Sequence, residues 1–284
     1  MINKFIYSFF FLIGSINLSI LYFILYPVFI IFNFIFSYRK KIVSSNIKKS
    51  LLHLDNNQHI KVIKGFYKYF FNLLIEILKM GSANKKFYHH RIKVINPEVL
   101  ESYRLQNKSI ILMMGHHNNW EWAGQIISIK SKQKFVSVYK KLSSSFFDYF
   151  MSNIRSKNGA SVIEMNDIIK YIYDDKECKI IGLIADQNPV VNDTTKWINF
   201  FNQSVPVIDG PEKIARKMNF PVLFCNMNKV KNGYYNITFE VIDENPKLSK
   251  EGDITNKFFN RLESKIKEEP NNYLWSHNRW KHKI

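Results

Sequence analysis

The sequence predicts an α/β fold with a mixed, largely parallel sheet flanked by helices, preceded by an apolar N-terminal segment. Short apolar runs alternate with amphipathic stretches from about residue 109 onwards, and this alternation is typical of a parallel sheet with helical crossovers. The 284 residues are 46% hydrophobic, which is enough for one large buried core. No charged residue lies between Phe5 and Tyr38.

The charge-free N-terminal run is longer than the roughly 20 residues that span a bilayer, and no small-residue cleavage site follows it. We therefore expect residues 1–41 to be a retained membrane anchor. Pro27 indicates either a kink or a spanning helix followed by an interfacial one, and the sequence leaves both open. The basic stretch "YRKKIVSSNIKK" comes next. Because positive charge accumulates on the cytoplasmic side of membrane segments, residues 42–284 are expected to form a cytoplasmic domain.

The elements of that domain follow from the spacing of apolar residues. "HIKVIKGFYKYFFNLLIEILKMG" has helical spacing and predicts a helix ending near Gly81. Five apolar runs predict strands at 109–115, 134–140, 159–165, 178–186 and 220–228. Helices are predicted at "SSFFDYFMSNIRSK", "NDIIKYIYDD" and "DGPEKIARKMN", the last with Asp209 as N-cap. "YYNITFEVID" predicts an edge strand and "DITNKFFNRLESKIKEE" a final helix.

The formal charge of +18 predicts an anionic partner, such as phospholipid, a phosphorylated substrate, an acidic protein or nucleic acid. The apolar N-terminus and the lack of a recognisable nucleic-acid-binding module count against nucleic acid. The two cysteines, Cys178 and Cys225, each lie in an apolar run. They are therefore expected to be buried, reduced thiols rather than zinc ligands or a disulfide.

The stretch "GHHNNWE" contains the candidate catalytic residues. Gly115 and His116 come as the first predicted strand ends, and Asn118 or Asn119 is expected to cap a helix that begins near Trp120. We expect the intervening turn to bring His116 to Glu121, because an imidazole backed by a carboxylate makes a general base.

No serine or cysteine nucleophile lies beside this histidine, which favours direct transfer to an external hydroxyl. The backbone N–H groups of Asn118 and Asn119 are the expected donors to an oxyanion, since they precede a helix.

Structural explanations compete with each of these interpretations. The two histidines could simply satisfy a turn. They could also join Glu121 in a metal site, although the spacing is not HExxH and no cluster elsewhere completes it. Arg155 could be an ordinary exposed helix residue, and Asp186 with Gln187 could merely end a strand. Three residues near the C-terminus could close the fold, dock on a membrane or contact the substrate: Trp275, Arg279 and Trp280.

These motifs together resemble a known family. "GHHNNWE" is similar to the HxxxxE block of the lysophospholipid and glycerol-3-phosphate acyltransferase-like superfamily, and its glutamate favours the late acyltransferases of lipid A biosynthesis, the lauroyl and myristoyl transferases. "VYKKLSSSFFDYFMSNIRSKNG", "ADQNP" with "WINFFNQSVPVIDGPEKIARKMNFPVL", and "EEPNNYLWSHNRWK" resemble further blocks of that family in the same order. Departures include His117 and Asn118 after the histidine, Lys140 and Lys141 in place of arginine and proline, and Asn202 at a glycine position.

The resemblance implies a glycerolipid acyltransferase-like fold and a bacterial inner-membrane O-acyltransferase with His116 and Glu121 as catalytic residues. The substrate-binding residues that it implies are Asn119, Arg155, Asp186, Gln187 and Gly210. The acyl donor would be an acyl carrier protein thioester, with acyl-coenzyme A as an alternative, and the acceptor a hydroxyl of a lipid A precursor or related membrane glycolipid. No cofactor and no metal is expected.

Two other functions stay open from the sequence. The same chemistry could act on another lipid, such as an ornithine lipid, a phosphatidylinositol mannoside or a lysophospholipid. The chain could instead be a non-catalytic, membrane-anchored protein that binds anionic lipid.

Overall fold

The computed structural model describes residues 2–282, with side chains for residues 6–31 and 37–282. In this part of the chain the helices are Ile2–Ser15 (α1), Leu18–Phe36 (α2), Lys40–Ser50 (α3), Asn56–Met80 (α4), Lys85–Arg91 (α5), Glu98–Leu105 (α6), Trp120–Lys130 (α7), Ser145–Ser156 (α8), Ile168–Asp174 (α9), Gly210–Met218 (α10) and Asp253–Glu268 (α11). The strands are Ile92–Val94 (β1), Ile110–Met114 (β2), Lys134–Tyr139 (β3), Ser161–Glu164 (β4), Lys179–Ile184 (β5), Lys196–Phe200 (β6), Gln203–Val207 (β7), Val222–Lys231 (β8) and Tyr234–Asp243 (β9). Short 3₁₀ turns are Pro246–Leu248 and Pro270–Asn272.

Seven of these strands form one sheet in the order β1-β9-β8-β2-β5-β3-β4. Neighbours are parallel except for the antiparallel pair β8 and β9. The predicted mixed, largely parallel sheet flanked by helices is therefore confirmed. The expectation that β9 is an edge strand is wrong, because the short β1 pairs with its outer side. A three-residue strand is too short to give a recognisable period of two in the sequence.

The position of β2 beside β5 brings two distant parts of the sequence together. These strands are parallel and in register, with Met114 opposite Ile184. The backbone N–H of Ala185 extends the ladder by donating to the carbonyl of Met114 at 3.0 Å. Residues that follow both strands therefore emerge at the same edge of the sheet, where α/β proteins usually bind ligands.

Both faces of this central strand are covered. Ile111 and Met113 pack into a core that includes α11, while Ile110, Leu112 and Met114 pack into a second core that includes α7. Side chains of a strand point alternately to opposite faces, so all five residues are buried. A Cβ added at Gly115 would lie 2.5 Å from Leu262 Cδ1. The glycine thus allows α11 to pack against the backbone where β2 ends.

The long helix α4 supports the N-terminal helices. Its predicted end near Gly81 is confirmed, and Asp55 and Gln58 form a capping box at its start. The ammonium of Lys79 donates to the carbonyls of Gly14 at 2.7 Å and Ile16 at 3.0 Å. These carbonyls lie at the C-terminal end of α1, where positive charge stabilises a helix.

The N-terminal helices are bent sharply relative to one another. Among the described residues, no single helix is long and apolar enough to span a membrane; helices Ile6–Ser15 and Leu18–Ile31 meet that length and composition together, at an angle of 114°. Pro27 lies inside α2, so the break between the helices is not at the proline.

We expect Lys79→Met to loosen α1, because the substitution keeps most of the side-chain length but leaves the carbonyl of Ile16 without a protein donor. The free energy of unfolding should fall by about 1–2 kcal/mol. Limited proteolysis should also cleave more rapidly near residues 14–17. Lys61→Met, at an exposed position on the same helix, is the matched control. Equal cleavage of the two variants would contradict the capping role of Lys79.

Candidate active site

The ends of β2 and β5 place His116 beside Asp186. The imidazole Nδ1 lies 2.6 Å from Oδ1 of Asp186, and the backbone N–H of His116 donates to Oδ2 at 3.1 Å. Because a carboxylate only accepts hydrogen bonds, Nδ1 carries a proton, and in the neutral ring Nε2 is then the nitrogen with the lone pair. This is the tautomer of a general base.

The electrostatics of this pair keep Asp186 ionised. Burial alone would raise the pKa of the Asp186 carboxyl, but the charge and hydrogen bonds of His116, together with the charge of Arg279, hold that pKa below its usual value. The Arg279 guanidinium is fully buried and donates Nη1–H to the backbone carbonyl of Asp186 at 2.5 Å. A carboxylate held in this way stabilises the imidazolium that forms when the ring takes a proton.

Two neighbours surround the free nitrogen of the ring. The amide nitrogen of Gln187 lies 3.3 Å from Nε2 of His116 and donates to it. The indole of Trp120 meets the imidazole edge to face, with ring centroids 4.7 Å apart. The ring is therefore held on one side by Asp186 and on another by Trp120, with Gln187 at the position that a proton donor would take.

The expected contact between His116 and Glu121 is wrong in this structure. Glu121 accepts from Arg155 Nη2 at 2.6 Å and Nε at 2.9 Å, and from the indole N–H of Trp120 at 3.1 Å. Arg155 is distant from Glu121 in sequence, but its guanidinium donates two parallel hydrogen bonds that match the geometry of the carboxylate. Burial would raise the pKa of Glu121, but Arg155 outweighs it and the pKa is lowered. Among the described residues, no hydrogen bond joins Glu121 to His116, although the charge of His116 also contributes to the lowered pKa of Glu121.

The turn between β2 and α7 confirms the predicted cap and corrects one predicted donor. Asn118 has φ of +55°, and its backbone N–H donates to the carbonyl of Asn272 at 2.8 Å. That N–H is therefore occupied and does not serve as an oxyanion donor. The side chain of Asn119 caps α7 by accepting from Trp122 N at 3.0 Å. Within the described chain, the backbone N–H of Asn119 donates to no protein acceptor.

A buried carboxylate that the sequence analysis missed holds this cap. Glu76 in α4 is fully buried, and its carboxylate accepts from Asn119 Nδ2 at 2.5 Å, Tyr22 Oη at 2.5 Å and Tyr235 Oη at 2.7 Å. Burial raises the pKa of Glu76 despite these three donors. Both groups of the Asn119 amide are thus engaged within the protein. In the sequence Glu76 lies inside an apolar helix repeat, where its being the only acidic residue of the helix was the one signal.

The imidazole opens into a cleft of about 660 Å³. Among the predicted site residues, His116, Arg155, Gln187 and Gly210 line it, while Asn119, Glu121 and Asp186 lie outside the lining. Basic residues at the wall are Lys140, Lys141 and Lys213. The apolar lining comes mainly from β3, β5, α9 and α10: Val138, Leu142, Met165, Ile168, Ile169, Leu183, Ile184, Ile208 and Ile214. The cleft combines a base, cations and an apolar wall.

The C-terminal segment closes the site from behind. Leu274 N donates to the carbonyl of His116 at 3.0 Å, and Trp275, Arg279 and Trp280 are buried. These three residues therefore close the fold, one of the three roles that the sequence left open. His117 is also buried, and its Nε2 lies 3.3 Å from the backbone carbonyl oxygen of Glu269. It does not line the cleft, so the two adjacent histidines have different surroundings.

Metal ligation finds no support in the geometry. Across residues 2–282, no group of three or more histidine, cysteine, aspartate and glutamate side chains is arranged to hold a metal ion.

Replacing Glu76 tests whether the cap depends on it. Glu76→Leu should lower the free energy of unfolding by about 3 kcal/mol, because it leaves several buried donors without acceptors. Glu76→Gln should lose much less, since an amide can accept from Asn119 and donate to a rotated tyrosine hydroxyl. Chemical denaturation measures both. Comparable losses in the two variants would show that hydrogen bonding by Glu76 does not hold the turn.

The buried His117 and the partly buried His277 predict a loss of stability in mild acid. Burial lowers the pKa of His277 to about 4 and also lowers that of His117, both from 6.5. The unfolded chain then takes up protons near pH 6.5 while the folded chain does not. The free energy of unfolding should be highest above pH 7 and fall by about 1–2 kcal/mol at pH 5 through His277 alone. Denaturation curves of His277→Gln should fall less steeply over this range; an unchanged pH slope would contradict the assignment.

Comparison with known families matches residues 3–282 to the family described as bacterial lipid A biosynthesis acyltransferase. A search among curated proteins found no match. The family match covers nearly the whole chain and confirms the resemblance seen in the ordered motifs. The chain belongs to the bacterial lipid A biosynthesis acyltransferase family and is thus an acyltransferase for a lipid A-like substrate.

Proposed function

We propose that this acyltransferase moves a fatty acyl chain from an acyl carrier protein thioester to a hydroxyl of a lipid A precursor or related glycolipid. The observation that supports this most is the His116–Asp186 pair, whose free Nε2 lies at the wall of the 660 Å³ cleft. Direct transfer to the acceptor fits the site, because an imidazole base is present and the residues that line the cleft include no cysteine.

The reaction needs a single base that later acts as an acid. Nε2 of His116 takes the proton of the acceptor hydroxyl as the hydroxyl oxygen attacks the thioester carbonyl carbon. Asp186 stabilises the resulting imidazolium through its 2.6 Å hydrogen bond. When the tetrahedral intermediate collapses, the carbon–sulfur bond breaks and the imidazolium returns its proton to the leaving thiolate. The products are an ester and a free carrier thiol, and neither a metal nor a cofactor is required.

Gln187 has a defined part in this sequence. In the free enzyme its amide donates to Nε2 at 3.3 Å, so an acceptor hydroxyl must displace that hydrogen bond. The released amide then becomes a donor for the developing oxyanion. The backbone N–H of Asn119 donates to no acceptor in the described chain, but Asn119 is fully buried and lies outside the cleft lining, so Gln187 is the donor that we propose.

Cations and apolar walls divide the cleft between two kinds of substrate group. Arg155 binds Glu121 through Nε and Nη2, which leaves Nη1 for a phosphate of the acceptor or of the donor's phosphopantetheine arm. Lys140 and Lys141 add positive charge at the wall. The isoleucines of α9 and α10 would contact the acyl chain, because burial of methylene groups stabilises binding.

The apolar N-terminal helices and the net charge support a location at a membrane. We propose that residues 1–41 attach the enzyme to the bacterial inner membrane and that residues 42–284 act on its cytoplasmic side, where acyl carrier protein is found. That carrier is acidic, and the net charge of +18 favours its approach by electrostatic steering.

Substitutions at the base test the mechanism. His116→Ala should abolish transfer, and Asp186→Asn should slow it by about 10³-fold or more, because the tautomer and the counter-charge are lost. His89→Ala and Asp167→Asn, at exposed positions, are the matched controls. The measurement is transfer from radiolabelled acyl carrier protein to the purified glycolipid, with folding checked by circular dichroism.

Glu121→Gln distinguishes the two carboxylates. If it loses as much activity as His116→Ala while Asp186→Asn stays active, Glu121 supports the base and the assignment to Asp186 is wrong. Lipid mass spectrometry of a deletion strain then tests the acceptor. An under-acylated lipid A species supports the proposal, and an unchanged lipid A profile would overturn it.

A further inference from the structure

A row of phenylalanine rings joins the N-terminal helix α1 to α8. Ring centroids are 5.9 Å apart between Phe9 and Phe10, 5.7 Å between Phe10 and Phe146, and 5.3 Å between Phe146 and Phe147. We call these four residues the aromatic ridge. Tyr7 packs on Phe150 at 5.8 Å and fixes the two helices against each other. The ridge is therefore a built contact, since each ring lies within the range of favourable ring pairing.

Both ends of the ridge are exposed. Phe9 and Phe147 each keep 55% of their surface accessible, and Leu142 keeps 42%. Leu142 also lines the cleft into which His116 opens, and its backbone N–H donates to Asp148 of α8 at 2.9 Å. An apolar surface thus extends from α1 across α8 to the opening of the cleft. Contiguous exposed apolar surface in a folded protein indicates a binding surface.

The apolar surface continues along the N-terminal helices. Exposed apolar side chains of α1, α2 and the turn between them include Leu12, Ile16, Ile20, Phe23 and Ile24. No acidic or basic residue occurs in α2, and Lys4 is the only one in α1. A protein partner would need an unusually long apolar groove to cover this surface, whereas the hydrocarbon of a bilayer covers it without shape matching.

Positive charge borders the ridge where it meets the cleft. Lys140 and Lys141 line the wall beside Leu142. Lys141 lies 3.6 Å from Glu164, while Lys140 has no ion-pair partner in the described part of the chain. An apolar helix face bordered by lysines is the pattern of interfacial binding to anionic lipid.

We propose that the aromatic ridge, whose rings come from both α1 and α8, extends the bilayer contact of the N-terminal helices to the opening of the His116 cleft and holds that opening against an anionic lipid surface. This proposal rests on the proposed function, because it supplies a reason for the contact: the acceptor is itself a lipid in that bilayer. The sugar of the acceptor reaches His116 from the headgroup layer while its existing acyl chains stay in the hydrocarbon. Leu142 and Phe147 then lie at the boundary between bilayer and cleft.

Site-directed labelling tests the contact at α8 itself, because a label at position 147 lies outside the N-terminal anchor. The full chain with Cys178→Ser is the background for both variants. A bimane label is attached at Phe147→Cys, and the matched control carries the label at Leu248→Cys, where the native leucine is 85% exposed. Vesicles contain brominated phospholipid with or without phosphatidylglycerol. We expect several-fold stronger quenching at 147 than at 248, and weaker quenching without phosphatidylglycerol. Equal quenching at both positions would overturn the proposal. Emission at 147 that changes with protein concentration without vesicles would instead indicate contact with a second copy and also overturn it.

Activity gives the second measurement. Phe147→Glu should slow transfer about 10-fold to acceptor in vesicles and leave transfer to detergent-dispersed acceptor unchanged, and Leu248→Glu should change neither. Equal rates for Phe147→Glu and the parent on vesicles would contradict the ridge. Failure of the proposed function looks different, because His116→Ala would then remain active whatever the quenching at position 147.

Discussion

The site depends on the hydrogen bond between His116 and Asp186, which can form only because β2 and β5 are parallel neighbours that end in register. Neither residue is near the other in sequence. The sheet brings their backbones together, and the buried Arg279 fixes the carbonyl of Asp186 from behind. A buried carboxylate is costly unless it is paired, so Asp186 stabilises the fold only while the imidazole and the C-terminal segment are both in place. The chemistry and the closure of the fold thus share one residue.

Glu76 stabilises the turn between β2 and α7 through its hydrogen bond with Asn119. Its three donors come from α2, from the cap of α7 and from β9, so one carboxylate joins the N-terminal helices, the catalytic turn and the sheet. Because Tyr22 belongs to a helix with an exposed apolar face, any displacement of α2 must be accommodated at Glu76 and Asn119. The position of His116 is therefore physically connected to the way in which α2 is held.

Sequence patterns predicted the helices and strands well. They did not predict side-chain partners that come from distant parts of the sequence. The strand ends, the cap at Asn119 and the long helix α4 could be predicted because each depends on neighbours in sequence. Asn202, which the resemblance places at a glycine position, adopts φ of +56° in the β6–β7 turn, a conformation that asparagine tolerates better than most residues. The partner of Glu121 could not be predicted, because Arg155 comes from another helix. Glu76 was missed for the same reason.

The two ion pairs at the cleft explain what a carboxylate five residues after His116 does in this structure. Glu121 already binds Arg155 in a bidentate pair and holds the indole of Trp120. A carboxylate neutralised by a guanidinium stabilises a second cation less than a free one does, so Asp186 is the better counter-charge for the imidazolium. The arrangement gives Glu121 a different task. Through Trp120 it sets one side of the imidazole, and through Arg155 it fixes a guanidinium at the cleft wall. Glu121 therefore links His116, through Trp120, to the guanidinium of Arg155. The carboxylate that supports His116 is that of Asp186, which follows β5.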